Sequence, residues 1–159
     1  MALSYTAKED SDVLRIFGKN IRSVRTAKGL TIQKLAELAK CSRDGLSLLE
    51  NGERDSNFDI AIKIARSLNV AFPDLVSRNF DCNNSSRYID DDFILVFAEN
   101  LSKQLKMLEM NQYQLSQDTG ITESNISKIL NGRNKNPKLT TLDLLSKAIQ
   151  VDLEQLLTR

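Results

Sequence analysis

The sequence contains two closely similar stretches, residues 31–52 and 111–132, which align at a constant separation of 80 residues, as Leu35 does with Leu115. In each stretch apolar residues recur three and four positions apart on both sides of a short polar turn, which is typical of two short amphipathic helices. Beyond Gly132 the separation becomes 81, and the similarity extends over nearly the whole chain. The pattern predicts a duplicated small all-α domain, because a solenoid would need several shorter units.

Five short helices joined by turns account for each copy of the repeat. The first helix is predicted to start after a cap at Ser11 or Asp12 and to end near Lys28, with Gly29 in the C′ position. Thr122 is predicted to cap the helix that follows the second turn. The predicted divisions are a flexible tail at 1–10, a first domain at 11–76, an aperiodic linker at 77–90 and a second domain at 91–159.

The composition argues against catalysis and against metal binding. The chain has no histidine and two cysteines, which are too few for a disulfide framework. It shows no glycine-rich phosphate loop and no arrangement that would activate a nucleophile, so we expect neither a catalytic site nor a cofactor. Cys41 aligns with Ile121 and is interpreted as a buried turn residue.

The charge is divided unevenly along the chain. The formal net charge is only +1, which is unusual for a nucleic-acid binder. Residues 17–76 carry ten basic and seven acidic side chains, whereas residues 77–96 carry two and four. The basic excess therefore lies in the repeats, and modest non-specific affinity for a polyanion is expected.

Both copies resemble the helix-turn-helix of the XRE, or phage-repressor-like, family. That family's pattern runs Leu-Thr-Gln-x-x-Leu-Ala, a small-residue turn, Ser, and a recognition helix that ends in Glu-Asn-Gly. The resemblance implies an all-α fold of two tandem five-helix lambda-repressor-like domains. It also implies an internal ion pair between Arg25 and Glu50, whose places in the second copy are taken by Leu105 and Leu130.

The second copy keeps most of the features that the resemblance associates with DNA reading. Asn pairs bidentately with adenine, Glu accepts from cytosine N4, and a basic loop after the helix suits backbone phosphates. A solvated surface is the alternative interpretation of the loop's Arg133, Lys135 and Lys138. The candidate DNA-binding residues of this copy are Gln112, Thr122, Glu123, Ser124, Asn125, Ser127, Lys128, Arg133, Asn134, Lys135 and Lys138.

The first copy departs further from the family pattern. Ile32 replaces the family glutamine, and Gly45 lies inside the recognition helix at a cost of about 1 kcal/mol relative to alanine. Acidic side chains in the following loop would repel phosphates. Its candidate DNA-binding residues are Arg22, Gln33, Arg43, Asp44 and Ser47.

Together these features predict a sequence-specific regulator of transcription, more specifically a repressor, that inserts helix 3 of one or both repeats into the major groove of a double-stranded DNA operator. A homodimer would present four units, and the linker permits half-sites about 34 Å apart. The alternative is a protein-interaction module, an antitoxin or adaptor with weak DNA binding, in which the first repeat serves partly for dimerisation. The lack of an apolar signal core and the family resemblance predict a cytoplasmic protein of a bacterium or phage, associated with the nucleoid when bound.

Overall fold

The computed structural model describes residues 12–159, in which there are ten helices and no strand. The predicted flexible tail, residues 1–10, lies outside the described residues. Internal contacts divide the described part into two compact units, residues 12–90 and residues 91–159. Each unit contains five helices, so the predicted all-α fold with two helix-turn-helix domains is confirmed.

The helices follow the predicted order closely. Those of the first unit are α1 (Val13–Ala27), α2 (Ile32–Ala39), α3 (Arg43–Glu50), α4 (Phe58–Leu68) and α5 (Phe72–Leu75). Those of the second unit are α6 (Phe93–Met107), α7 (Gln112–Thr119), α8 (Glu123–Leu130), α9 (Leu139–Ala148) and α10 (Leu153–Leu156).

The two units repeat the same packing. In the first, α1 packs on α3 and α5, and α2 packs on α3 and α4. In the second, α6 packs on α8 and α10, and α7 packs on α8 and α9. Each core is a set of fully buried apolar side chains, which include Phe17, Ile21, Leu35, Leu46, Ile64 and Phe72 in the first unit and Phe97, Leu101, Leu115, Ile126 and Leu142 in the second. Burial of such stripes supplies most of the stability of helices this short.

The predicted end of α1 at Gly29 is confirmed, whereas the predicted capping bond of Asp12 is not found. α1 ends at Ala27, and Gly29 follows at φ +68°, a left-handed conformation that costs glycine little. Gly120 ends α7 in the same way at φ +77°. Asp12 occupies the N-cap of α1, but its side chain makes no capping hydrogen bond. The alternative cap, Ser11, lies outside the described residues.

An asparagine joins the first and last helices of each unit; it is buried in the first unit and half-buried in the second. Asn20 Nδ2 on α1 donates to the carbonyls of Leu75 and Ser77, both at 3.0 Å. Asn100 Nδ2 on α6 donates to the corresponding carbonyls of Leu156 and Thr158, at 3.0 and 2.9 Å. The same long-range contact therefore recurs at the separation found in the sequence.

The segment 77–90 contains no helix, and it packs along the first unit. The backbone N–H of Ser86 donates to Asp74 Oδ2 at 2.9 Å. The guanidinium of Arg66 lies over the Tyr88 ring, 5.6 Å from its centroid. These contacts tie the second half of the segment to α4 and α5 of the first unit.

The units differ where the first helix meets the recognition helix. In the first unit Gly18 allows a close approach, because a Cβ there would lie 2.3 Å from the carbonyl oxygen of Leu49. The second unit has the larger Ala98 at this place. The predicted ion pair is confirmed in the first unit, with Arg25 Nε 2.8 Å from Glu50 Oε2.

Candidate nucleic-acid interface

The helix α8 is held in a defined orientation by its own cap and by the turn before it. Thr122 Oγ1 accepts a hydrogen bond from the backbone N–H of Asn125 at 3.1 Å, so the predicted cap is confirmed. α7 begins with a capping box in which Asn111 and Gln114 bond each other's backbone N–H. The cap at Thr122 fixes the start of α8, the capping box fixes the start of α7, and the outer face of α8 is exposed.

Four candidate side chains stand exposed on that outer face of α8. They are the side chains of Glu123, Ser124, Asn125 and Lys128. None of the four forms a side-chain hydrogen bond or an ion pair with any residue between 12 and 159. Their donors and acceptors are therefore free for a ligand, which is what direct readout of base edges requires. Ser127, on the same helix, is half-buried.

The loop after α8 presents three exposed cations, Arg133, Lys135 and Lys138. Its shape is set by asparagines: Asn131 Oδ1 accepts from the backbone N–H of Arg133 at 3.1 Å. Asn134 Oδ1 accepts from the backbone N–H of Asn136 at 3.0 Å. Asn134 is thus half-buried and engaged in the turn, while the three cations extend beyond it.

At the start of α7, one of the predicted contact residues lies beside an exposed aromatic side chain. Gln112 is the first residue of α7 and is half-buried. Its neighbour Tyr113 is 58% exposed, although it is aromatic.

In the first unit the predicted recognition helix α3 presents fewer free polar groups. Arg43 and Asp44 are exposed, and their side chains lie 3.8 Å apart, so each partly offsets the other's charge. Ser47 is half-buried. Leu48 is 39% exposed on this helix, where α8 carries Lys128.

The two remaining candidates of the first unit are engaged in internal contacts. Arg22 Nε lies 3.3 Å from Glu50 Oε1, and the Arg22 side chain is still half exposed. Gln33 is exposed, and its Nε2 donates to Glu37 Oε1 at 3.2 Å. Either side chain would have to give up part of its internal bonding to contact DNA.

The cysteine that the sequence analysis singled out, Cys41, lies in the turn between α2 and α3. Cys41 is half-buried rather than buried as predicted; burial raises the pKa of its thiol, and Lys63 partly opposes this effect. Within residues 12–159, no three histidine, cysteine or acidic side chains cluster as metal ligands. In the same range no helix has the length and apolar character needed to cross a membrane.

Comparison with known proteins identifies both units. Residues 100–159 match the Cro/C1-type helix-turn-helix DNA-binding domain, and residues 21–75 match a helix-turn-helix model. Control protein C.SmaI of Serratia marcescens is 31% identical over 67 residues, which make up 42% of this chain and 80% of that protein. The crystal structure of the restriction-modification controller protein C.AhdI from Aeromonas hydrophila is 32% identical with a TM-score of 0.40, covering 41% of this chain and 98% of that one.

Proposed function

The chain belongs to the Cro/C1-type, or XRE, helix-turn-helix family of DNA-binding transcription regulators, which are not enzymes, and we propose that it represses transcription by reading an operator mainly with its second unit. Helix α8 enters the major groove, and the loop that follows it holds the phosphate backbone. The first unit binds the neighbouring DNA more weakly.

The observation that carries this proposal is the set of unbonded polar side chains on α8. Asn125 lies on the first turn of α8, its carboxamide is exposed, and its backbone N–H is already bonded to the cap. A free carboxamide on a rigid helix suits a bidentate contact with adenine N6 and N7. Glu123 and Lys128 lie before and after Asn125 on α8, and both are exposed. The first offers a hydrogen-bond acceptor to the DNA and the second offers a donor.

The operator is proposed to contain two half-sites, each met by one unit of the chain. The loop after α8 supplies three exposed cations, whereas the loop after α3 includes the acidic Glu53 and Asp55. Phosphate contacts therefore contribute more affinity to the second unit. A homodimer of the chain would extend the operator to four half-sites, as expected for regulators that bind palindromic DNA.

A protein-interaction module is the second candidate function, and exposed leucines in the first unit favour it. Leu38 on α2 is 47% exposed and Leu48 on α3 is 39% exposed. The second unit has Asp118 and Lys128 at the same places. Apolar side chains on a helix-turn-helix face suit a protein partner better than a phosphate backbone. This candidate predicts weak DNA binding with no preferred sequence.

Selection of duplexes from a random pool with the intact chain tests the proposal. We expect enrichment of a motif with two spaced half-sites. Asn125→Ala should abolish the preference at one position, because a bidentate contact contributes about 1–3 kcal/mol of discrimination. Asn83→Ala is the matched control, since Asn83 is an exposed asparagine in the 77–90 segment.

Three outcomes decide between the candidates. An enriched motif that Asn125→Ala alters and Asn83→Ala preserves supports reading by α8. A motif with a single half-site would show that only one unit reads DNA. No enrichment with the wild-type chain at low salt contradicts the regulator proposal and favours the protein-interaction module.

A further inference from the structure

In the first unit, the loop after α3 brings Arg54 back onto the recognition helix. A Cβ built on Gly45 would lie 2.9 Å from Arg54 Nη1 and 2.7 Å from the Oγ of Ser42. Both distances are shorter than a real Cβ tolerates, so a larger residue at this position would displace the guanidinium. The helix-weakening glycine therefore has a structural consequence: it leaves room for Arg54 over the first turn of α3.

Arg54 is exposed, and its guanidinium has no hydrogen-bonding partner among residues 12–159. It borders a cleft of about 250 Å³ between α3 and the loop, which Leu49 and Ile60 also line. Within residues 12–159, Arg54 forms no hydrogen bond or ion pair, even though Asp55 is its neighbour. Asp55 Oδ1 instead accepts from the backbone N–H of Ser56 at 2.8 Å. All five donors of the guanidinium are thus available to a ligand.

The electrostatics at this place suit an anion. Ser42 caps α3 by accepting from the backbone N–H of Gly45 at 3.0 Å, but the first N–H groups of the helix have no intrahelical partner. A cation beside the positive end of a helix is unfavourable by itself. A phosphate placed against Arg54 would interact favourably with both, whereas an uncharged base edge would gain less.

The second unit is built differently at the same two positions. Gly45 corresponds to Asn125, and Arg54 corresponds to Asn134, which is engaged in its own turn. The second unit therefore projects a polar side chain from the helix itself, whereas the first projects a cation from the loop across a helix position that has no side chain.

We propose that Arg54 is a DNA-contacting residue of the first unit, that its guanidinium donates to a backbone phosphate, and that Gly45 provides the space in which it lies. This inference rests on the proposed function. The phosphate contact would hold the first unit on DNA whatever the base sequence at this position. It would do so although Glu53 and Asp55 of the same loop are acidic.

The test uses the intact chain and the duplex selected with the wild type as the probe, with affinity measured over a series of salt concentrations. Arg54→Ala should weaken binding about tenfold, as expected for the loss of a charge-assisted hydrogen bond. The slope of log affinity against log salt should become shallower by about 0.9, the value for one released phosphate contact. The selected motif should stay the same. Arg87→Ala, which removes an exposed arginine of the 77–90 segment, should change neither quantity.

Gly45→Ala tests whether the space that Gly45 leaves for Arg54 is needed for binding. Its Cβ should push the flexible Arg54 aside and reproduce part of the loss of affinity, but it should add no further loss in the Arg54→Ala background. If Gly45→Ala lowers the affinity equally in the wild-type chain and in the Arg54→Ala chain, Gly45 acts independently of Arg54. The proposal that Gly45 provides the space for Arg54 would then be wrong. Circular dichroism of each variant checks that its helix content is unchanged, so that a loss of affinity is assigned to displacement of Arg54 and not to unfolding of α3.

The remaining outcomes are distinct. If the wild type enriches a motif and Arg54→Ala binds it with the same affinity and salt slope, this inference is wrong and the proposed function stands. If Arg54→Ala changes the selected base at one position and leaves the slope unchanged, Arg54 reads a base and the phosphate assignment is overturned. If the wild type enriches nothing, both proposals fail.

Discussion

Arg25 and Glu50 form a bidentate ion pair, with Arg25 Nε 2.8 Å from Glu50 Oε2 and Nη2 3.0 Å from Oε1. The Glu50 side chain is fully buried, and that of Arg25 is 12% exposed. The second unit has buried Leu105 and half-buried Leu130 at these places, so the two units join their first and third helices by different chemistry.

Changing Glu50 alone should therefore cost far more than changing both partners. Glu50→Leu leaves the Arg25 guanidinium without its carboxylate and should lower the free energy of unfolding of the first unit by about 3 kcal/mol. The double change Arg25→Leu with Glu50→Leu should restore most of this loss, because the paired apolar side chains pack without an uncompensated buried charge. The half-exposed Arg22 loses its contact with Glu50 in both variants. Native-state hydrogen exchange of α1 and α3 amides measures each unit separately. A double variant as unstable as the single one would contradict the prediction.

The asparagine that joins the first and last helices should contribute more stability to the first unit than to the second. Asn20→Ala leaves two buried carbonyls without their donor, at about 1–3 kcal/mol for each. Asn100→Ala should cost less, because Asn100 is only half-buried and Thr158, one of its two acceptors, is exposed. Asn20→Asp should be no better, because a carboxylate cannot donate to a carbonyl. Urea unfolding followed by circular dichroism measures the loss. Asn79→Ala is the exposed control and should have no effect.

Matched substitutions at the residue that follows the second helix of each unit should change the stability of that unit in opposite directions. Lys40 and Gly120 occupy equivalent places, at φ +55° and φ +77°. Gly120→Ala should destabilise by about 1 kcal/mol through backbone strain alone, because no atom lies within 4 Å of the new Cβ. Lys40→Gly should relieve the same strain and raise the thermal midpoint of the first unit. Equal shifts of the same sign would show that side-chain contacts, not φ, decide stability here.

Loop cations and helix side chains of the second unit should have separable effects on DNA binding. Lys135→Ala and Lys138→Ala should each make the salt slope shallower by about 0.9 and leave the selected motif unchanged. Asn125→Ala should change the motif and leave the slope nearly unchanged. A lysine variant with an altered motif would place that side chain on a base rather than on a phosphate.

The Asp91 carboxyl should titrate at unusually low pH. The hydrogen-bonded guanidinium of Arg159, at 2.8 and 2.9 Å, holds the pKa of Asp91 below its ordinary value of 3.8. A depressed folded-state pKa adds stability above the unfolded-state value, and this contribution is lost as pH falls through the folded-state value. Carboxyl NMR titration checks the direction, and Arg159→Ala should raise the pKa towards 3.8. An Asp91 that titrates at or above 3.8 in the wild type would contradict the pairing.

Local signals in the chain determined most of the fold. The three- and four-residue apolar spacing predicted five short helices in each copy, and the structure has five in each unit. Thr122 as a cap and Gly29 as a helix end were predictable because their partners lie within a few residues. The separation of 80 residues predicted the duplication, since equal spacing of core positions reproduces equal packing.

Contacts between residues distant in sequence were decided only by the tertiary structure. The approach of Arg54 to Gly45 was not predictable, because it depends on the path of a loop rather than on any periodic pattern. The engagement of Arg22 with Glu50 likewise depends on how closely α1 and α3 pack. The sequence by itself thus determined which helices form and that they form twice. Tertiary packing decided which polar side chains bond internally and which stay free for a ligand, because hydrogen bonding requires a partner within about 3 Å that sequence spacing does not specify.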